Sequence, residues 1–148
     1  MSTIKIKQPI KHTPSFREYE ISGLELSVEL QNMGLEYPFG MLDWNYYYTD
    51  LEGWGKILYD LTFKSSLYKP DRFDCENYAL KAMTLCAERY GLNTLAMVIG
   101  DTLLGRHGFN ILYTGSEFLL FEPNEGFECS GQAFPIGEFG YIPDLILI

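Results

Sequence analysis

Residues 68–79 of the chain read Tyr-Lys-Pro-Asp-Arg-Phe-Asp-Cys-Glu-Asn-Tyr-Ala. This stretch decides the fold prediction because Asp74 is a favourable N-cap residue directly before Cys75. From Cys75 onward, apolar residues recur at intervals of three and four, and Gly91 follows as a residue that closes helices well. The pattern predicts a helix over residues 74–90 with Cys75 in its first turn.

The segments on either side of this helix predict an α+β fold. An earlier helix of about four turns is expected to begin near Thr49 or Asp50, with its end marked by Ser65, Ser66 and Pro70. After the Cys75 helix, apolar stretches separated by glycine-containing turns predict strands. These cover residues 95–99, 107–113 and 117–121, with a last strand expected at the apolar end, 145–148.

The N-terminal third is less regular. Residues 3–8 alternate between apolar and polar types, which predicts a strand. Residues 19–29 fit a strand about as well as a helix, and this alternative stays open. Residues 34–48 contain glycine, proline and many aromatic residues, which favours an ordered loop.

Length, charge and cysteine content limit the class of protein. The 148 residues predict a single domain over positions 1–148. The net charge of −9 opposes binding to nucleic acids, because their phosphate backbones are also negative. No apolar run approaches the ~20 residues that a membrane-spanning helix needs. Three cysteines without paired spacing indicate a reducing compartment, so a cytoplasmic location is expected, while the oligomeric state is left open.

Cys75 is the candidate nucleophile. The start of a helix carries a partial positive charge, which favours the thiolate over the thiol. Free N–H groups at the same helix end can stabilise an oxyanion that forms beside the sulfur. Cys86 and Cys129 are expected to be structural, since Cys86 lies in the buried helix stripe and neither has such a setting.

His107 and Glu122 are the candidate partners of this nucleophile. His107 stands between glycines at the start of a predicted strand, where it could accept the thiol proton and later donate it to a leaving group. Glu122 ends the next strand and could hold the second imidazole nitrogen. Asn124 and Asp101 are alternative residues for orienting the ring.

Three blocks of the sequence resemble the motif blocks of transglutaminase-like and papain-like cysteine hydrolases. They are Phe73-Asp-Cys-Glu-Asn-Tyr-Ala79, Gly105-Arg-His-Gly-Phe-Asn110 and Phe121-Glu-Pro-Asn124. They are similar in particular to the cysteine protease domain of fungal agglutinins and to small phage and bacterial proteins related to it. The resemblance implies a papain-like or transglutaminase-like core, with the nucleophile helix packed on an antiparallel sheet. It also implies a triad of Cys75, His107 and Glu122.

Two further groups of residues are weaker candidates. An upstream glutamine usually completes the oxyanion hole in papain-like enzymes, and Gln8 and Gln31 stand in no matching motif. Trp44 and Asn45 are therefore candidate oxyanion or substrate contacts. No cofactor is expected, although the oxygen-rich cluster of Asp71, Asp74 and Glu76 is a candidate calcium site.

These features together predict a cysteine peptidase or amidase that works through a thioester on Cys75. The expected partner is a peptide or another amide-containing substrate. Two alternatives stay open. The acyl group could pass to an amine, as in transglutaminases, or the chain could be a non-catalytic binding or phage-accessory module with the same fold.

Overall fold

The computed structural model describes residues 14–148. The helices precede most of the main sheet along the chain, and the sheet is antiparallel, so the predicted α+β class is confirmed. In chain order the elements are β1 (Tyr19–Ser22), α1 (Gly23–Asn32), β2 (Asn45–Tyr48), α2 (Leu51–Ile57), α3 (Cys75–Tyr90), β3 (Ala96–Thr102), β4 (Gly105–Tyr113), β5 (Phe118–Phe121), β6 (Ala133–Phe134) and β7 (Ile142–Leu147).

The main sheet has five strands in the order β6-β5-β4-β3-β7. Strand β4 lies at its centre and pairs antiparallel with both neighbours. The strands predicted over residues 107–113 and 117–121 are present as β4 and β5 and pair as a hairpin, with Tyr113 opposite Phe118. The apolar C-terminal segment forms the edge strand β7, which pairs with β3 as far as Leu147. A separate two-stranded sheet joins β1 and β2.

The two faces of the main sheet pack against different helices because successive side chains of a strand point to opposite faces. On β4, Ile111 contacts a buried cluster that includes Leu26 and Leu30 of α1. Its neighbour Leu112 contacts a second cluster that contains residues of α2 and α3. The sheet is thus covered by apolar side chains on both faces, which fixes the orientation of α3.

Helix α3 is anchored to the sheet by a buried amide. Asn110 Nδ2 donates to the carbonyl oxygens of Ala79, at 2.9 Å, and Ala96, at 3.0 Å. The helix closes at Gly91, which has φ of 69° and therefore favours glycine. The predicted helix over residues 74–90 is confirmed within one residue.

Three local expectations change in the structure. The undecided stretch 19–29 is a strand followed by a helix, and the break falls at Ser22, which caps α1 together with Glu25. The end of the expected loop 34–48 is strand β2, because Tyr46 is buried and the segment pairs with β1. The expected four-turn helix is only α2, followed by a 3-10 turn whose Asp60 accepts a hydrogen bond from Arg89 of α3 at 2.5 Å.

The expected strand over residues 3–8, with Gln8 in it, lies outside the described residues. Between residues 14 and 148, no helix has both the length and the apolar character needed to cross a membrane.

Candidate active site

Cys75 is the first residue of α3. The backbone N–H of the preceding residue, Asp74, donates to Asn77 Oδ1 at 3.1 Å, which fixes the start of the helix. Cys75 is half-buried, whereas Cys86 and Cys129 are buried. Burial raises the pKa of Cys86 to about 12 and also raises the pKa of Cys129. Of the three thiols, Cys75 alone combines access to solvent with the positive end of a helix.

Gly108 allows strand β4 to approach the start of α3. A Cβ atom at this position would lie 3.1 Å from both the backbone N and the Cα of Glu76. Such a contact is tighter than side chains normally make, so the helix start would have to move away. Glycine next to His107 therefore brings the strand that carries the imidazole close to the helix that carries the thiol.

The His107 imidazole is bound to a buried carboxylate. Its Nε2 lies 2.7 Å from Glu122 Oε2, and the side chains of the two residues are 11% and 1% exposed. A contact of this length between buried groups is a strong, charge-assisted hydrogen bond when the ring is protonated. Because Nε2 is occupied, Nδ1 is the nitrogen left to face Cys75.

Glu122 is held by two further donors. The Tyr141 hydroxyl donates to Oε2 at 2.9 Å, and the backbone N–H of Asn124 donates to Oε1 at 2.9 Å. Burial and the neighbouring carboxylate raise the pKa of Tyr141, so its hydroxyl keeps its proton and donates. Both carboxylate oxygens are thus occupied, which offsets the cost of burying the charge.

Aromatic rings fix the plane of the imidazole. The ring of His107 stacks on Phe109, with the ring centres 6.0 Å apart, and lies 5.0 Å from the ring of Phe127. The Tyr141 ring meets it edge-on at 5.8 Å. With Nε2 bound and three rings around it, the imidazole has little freedom to rotate.

The charge state of His107 is set by opposing effects. Burial lowers its pKa, but the hydrogen bonds that the protonated ring donates to Cys75 and Glu122, together with the charges of both groups, raise it, and the balance lies at about 9. The protonated ring is therefore favoured at neutral pH. An imidazolium beside a helix-terminal thiol favours the thiolate, which is the nucleophilic form of cysteine.

This raised pKa predicts how stability changes with pH. Folding moves the pKa of His107 from its ordinary value of 6.5 to about 9, so the folded state holds the proton more tightly. The resulting stabilisation is complete below pH 6.5 and is lost as the pH rises through about 9. We expect the melting temperature of the wild type to fall more between pH 6.5 and 9.5 than that of His107→Gln, as measured by circular dichroism. Parallel curves would contradict this assignment.

The acidic residues around Cys75 do not match a calcium site. Ligand atoms of Asp74, Cys75 and Glu76 lie within 4.8 Å of one another, and Cys75 Sγ donates to Glu76 Oε2 at 3.4 Å. Asp71 contributes its backbone N–H to Asp74 Oδ2 at 3.1 Å. Calcium takes six to eight oxygen ligands, whereas this group offers two carboxylates and a sulfur. We therefore derive no catalytic step through a metal.

The alternative orienting residues have other partners. Asn124 Oδ1 accepts from the backbone of Gly126 at 2.9 Å, so its side chain is used in a turn. Asp101 pairs with Arg106 at 3.2 Å. Glu122 alone among these three holds the imidazole.

The structure does not bring Trp44 and Asn45 to the site. The carbonyl of Asn45 accepts from Asn93 Nδ2 at 3.1 Å, and Asn93 lies just before β3. His107 pairs with Gly100 near the other end of that strand. Trp44 is 92% exposed beside Asn45. Gln31 lies on α1, and its amide donates to the Tyr37 hydroxyl at 2.6 Å.

Sequence reasoning missed two residues of the site and the structural role of a third. Tyr141 stands in a glycine- and proline-rich tail, with no local pattern that links it to Glu122. Phe127 is likewise one of many aromatic residues. Gly108 did carry a signal, since glycine next to a candidate catalytic histidine indicates close approach of another backbone.

Comparison with known proteins gives a fold and no family. No family model matches the chain, and no curated protein sequence matches it. Among the solved structures that match is one named "PSL1a-E64 complex", with a TM-score of 0.59 and 16% identity over 87% of this chain and 51% of that chain. The chain therefore spans about half the length of that solved protein. At this identity the likeness shows a shared α+β fold.

Proposed function

We propose that the protein is a cysteine hydrolase with a papain-like or transglutaminase-like core, and that it acts as a peptidase or amidase. The observation that carries this proposal is the buried contact between His107 Nε2 and Glu122 Oε2, at 2.7 Å, beside the helix-terminal Cys75. Acyl transfer needs a nucleophile, a base that hydrogen-bonds to it, and an acid that hydrogen-bonds to the base and orients it.

The reaction begins from a thiolate–imidazolium pair, in which His107 Nδ1 already holds the proton of Cys75 Sγ. The thiolate attacks the amide carbon, a C–S bond forms, and the carbonyl oxygen becomes an oxyanion. Free N–H groups at the start of α3 are the donors available to stabilise it. As the oxyanion collapses, the C–N bond breaks and the imidazolium gives its proton to the departing amine.

The second half of the reaction releases the thioester. Water attacks the acyl carbon while His107 Nδ1 accepts one of its protons. The C–S bond then breaks, and the imidazolium returns a proton to the thiolate. Glu122 keeps its charge throughout and stabilises each imidazolium. An amine in place of water gives acyl transfer from the same thioester, so the acceptor distinguishes a hydrolase from a transglutaminase-like enzyme.

Alkylation of the native protein tests this proposal. We expect iodoacetamide at pH 7 to modify Cys75 at least ten times faster than Cys86 or Cys129, because its thiolate is favoured and it reaches solvent. Mass spectrometry of tryptic peptides locates the adducts. E64, which the name of the similar solved structure gives as part of its complex, is a second reagent to test against Cys75.

Two results would separate the alternatives. Slow labelling of Cys75, at the rate of the two buried cysteines, would contradict the proposal and favour a non-catalytic binding module. Selective labelling justifies a search with peptide amides, in which release of a free acid indicates hydrolysis. A new amide formed with an added primary amine indicates transfer.

A further inference from the structure

An apolar cleft lies directly beside the candidate triad. Its volume is about 240 Å³, and its apolar lining comes from Leu103, Leu104, Phe127, Phe139 and Tyr141. Leu103 and Leu104 form the tip of the β3–β4 hairpin and are 83% and 88% exposed. Large apolar side chains at a hairpin tip that stay mostly in water gain little from the fold of this chain.

The cleft adjoins the site, because two of its lining residues also contact the imidazole. Phe127 and Tyr141 line the cleft and also contact the ring of His107, at 5.0 and 5.8 Å between ring centres. A group bound in the cleft would therefore lie one aromatic ring away from the imidazole. This position suits part of a molecule whose carbonyl group is at Cys75.

A strained residue forms one wall of the cleft. Phe139 has φ of 53°, a conformation that side chains other than glycine rarely adopt. It is 41% exposed, and its ring packs edge-on against Phe134 at 5.3 Å between ring centres. Such strain is found preferentially where a ligand is clamped. The strained backbone of Phe139 places its aromatic ring in the wall of the cleft, and this strain reduces local stability.

The size and charge of the cleft define what it can hold. Pockets that bind a whole small molecule usually measure ~300–1,000 Å³, so a cleft of about 240 Å³ suits one side chain of a larger substrate. Glu128 is the charged residue in its lining. With this carboxylate and a net charge of −9, the cleft disfavours acidic side chains.

We propose that this cleft binds a large aliphatic or aromatic side chain of the substrate and so sets the specificity of the triad. The inference rests on the proposed function, since it assigns the substrate class of the same site. A leucine or phenylalanine side chain in the cleft would be removed from water by Leu103, Leu104 and Phe139. The expected gain over glycine is about tenfold or more in the rate of acylation.

The test uses acetyl dipeptide chloromethyl ketones, which alkylate Cys75 without turnover. In one series, acetyl-X-Gly, and in a second, acetyl-Gly-X, the residue X is Gly, Leu, Phe, Lys or Asp. Mass spectrometry gives the second-order rate constant for modification of Cys75. In one of the two series we expect Leu and Phe to react at least tenfold faster than Gly, and Asp to react slowest.

Variants at the exposed tip of the hairpin connect this preference to the cleft. The double variant Leu103→Ser/Leu104→Ser should lose most of the advantage of Leu and Phe while iodoacetamide still modifies Cys75 at the wild-type rate. Leu24→Ser is the matched control, since Leu24 is 78% exposed on α1, outside the cleft lining. It should keep the preference unchanged.

The outcomes separate the two proposals. A Cys75 that reacts rapidly with iodoacetamide but equally with every X in both series overturns the cleft assignment and leaves the proposed function intact. Fastest reaction with Lys or Asp, or a preference unchanged in the double variant, also overturns it. A Cys75 inert to all reagents, iodoacetamide included, overturns the proposed function itself.

Discussion

Replacing His107 by alanine is expected to slow iodoacetamide alkylation of Cys75 at pH 7 by about 30-fold. A thiol without a neighbouring base is only a few per cent thiolate at this pH. In the wild type, the protonated His107 stabilises the thiolate, because its pKa is raised to about 9. The measurement is the rate constant for Cys75 modification between pH 5 and 9, followed by mass spectrometry.

The shape of the pH profile distinguishes this effect from a loss of structure. The wild-type rate should rise less steeply between pH 6 and 8 than that of the variant, because the imidazolium persists through that range and stabilises the thiolate. The variant should instead gain about tenfold per pH unit, as an ordinary thiol does below its pKa near ~8.5. Added imidazole should restore part of the rate by filling the space that the side chain leaves.

A second variant controls for the buried charge. Alanine leaves Glu122 buried without its imidazole partner, which itself costs stability. His107→Gln retains a donor toward Glu122 but has no basic nitrogen, so it should be as slow as alanine and more stable. Protection of Cys86 and Cys129 reports that either variant is folded. Wild-type rates in both variants would rule out a Cys75–His107 pair.

The positions of Cys75, His107 and Glu122 could be predicted because each is marked by local sequence. Cys75 follows a capping residue and opens an amphipathic helix that Gly91 closes, and these signals extend over a few neighbouring positions. His107 lies on β4 and Glu122 directly follows β5, and a short turn joins these two strands, so the hairpin alone brings the two residues close together. Short-range patterns thus determine most of this geometry.

The remaining contacts depend on pairings between distant segments. Tyr141 reaches Glu122 because β7 returns to the edge of β3, a packing that no nearby residue signals. The segment of strand β2 was predicted as a loop because its partner, β1, lies more than twenty residues earlier in the sequence. Trp44 was an attractive candidate by residue type, yet its place at the far end of β3 follows from the same long-range pairing.

The substitution Glu122→Gln is expected to reduce turnover, or acylation by a peptide probe, by about 100-fold, with a smaller loss of stability. Glu122 accepts from Tyr141 and His107 on Oε2 and from the Asn124 N–H on Oε1. A glutamine side chain has one acceptor oxygen. If that oxygen faces His107, the amide NH₂ faces the Asn124 N–H. Both groups are donors, so no hydrogen bond forms between them. If it is reversed, the NH₂ faces the imidazole.

Either orientation weakens the imidazolium, because the carboxylate charge that raises the pKa of His107 is gone. The pKa of the ring should fall below 9, which NMR of the imidazole reports directly, and the unfolding free energy should fall by about 1–3 kcal/mol. Glu125→Gln is the matched control, since Glu125 is an exposed acid nearby whose Oε1 accepts from the Ser65 N–H at 3.3 Å. It removes the same charge from the same turn and should leave both rate and titration unchanged. Equal effects of the two substitutions would mean that general electrostatics, and not the bond to His107, governs Cys75.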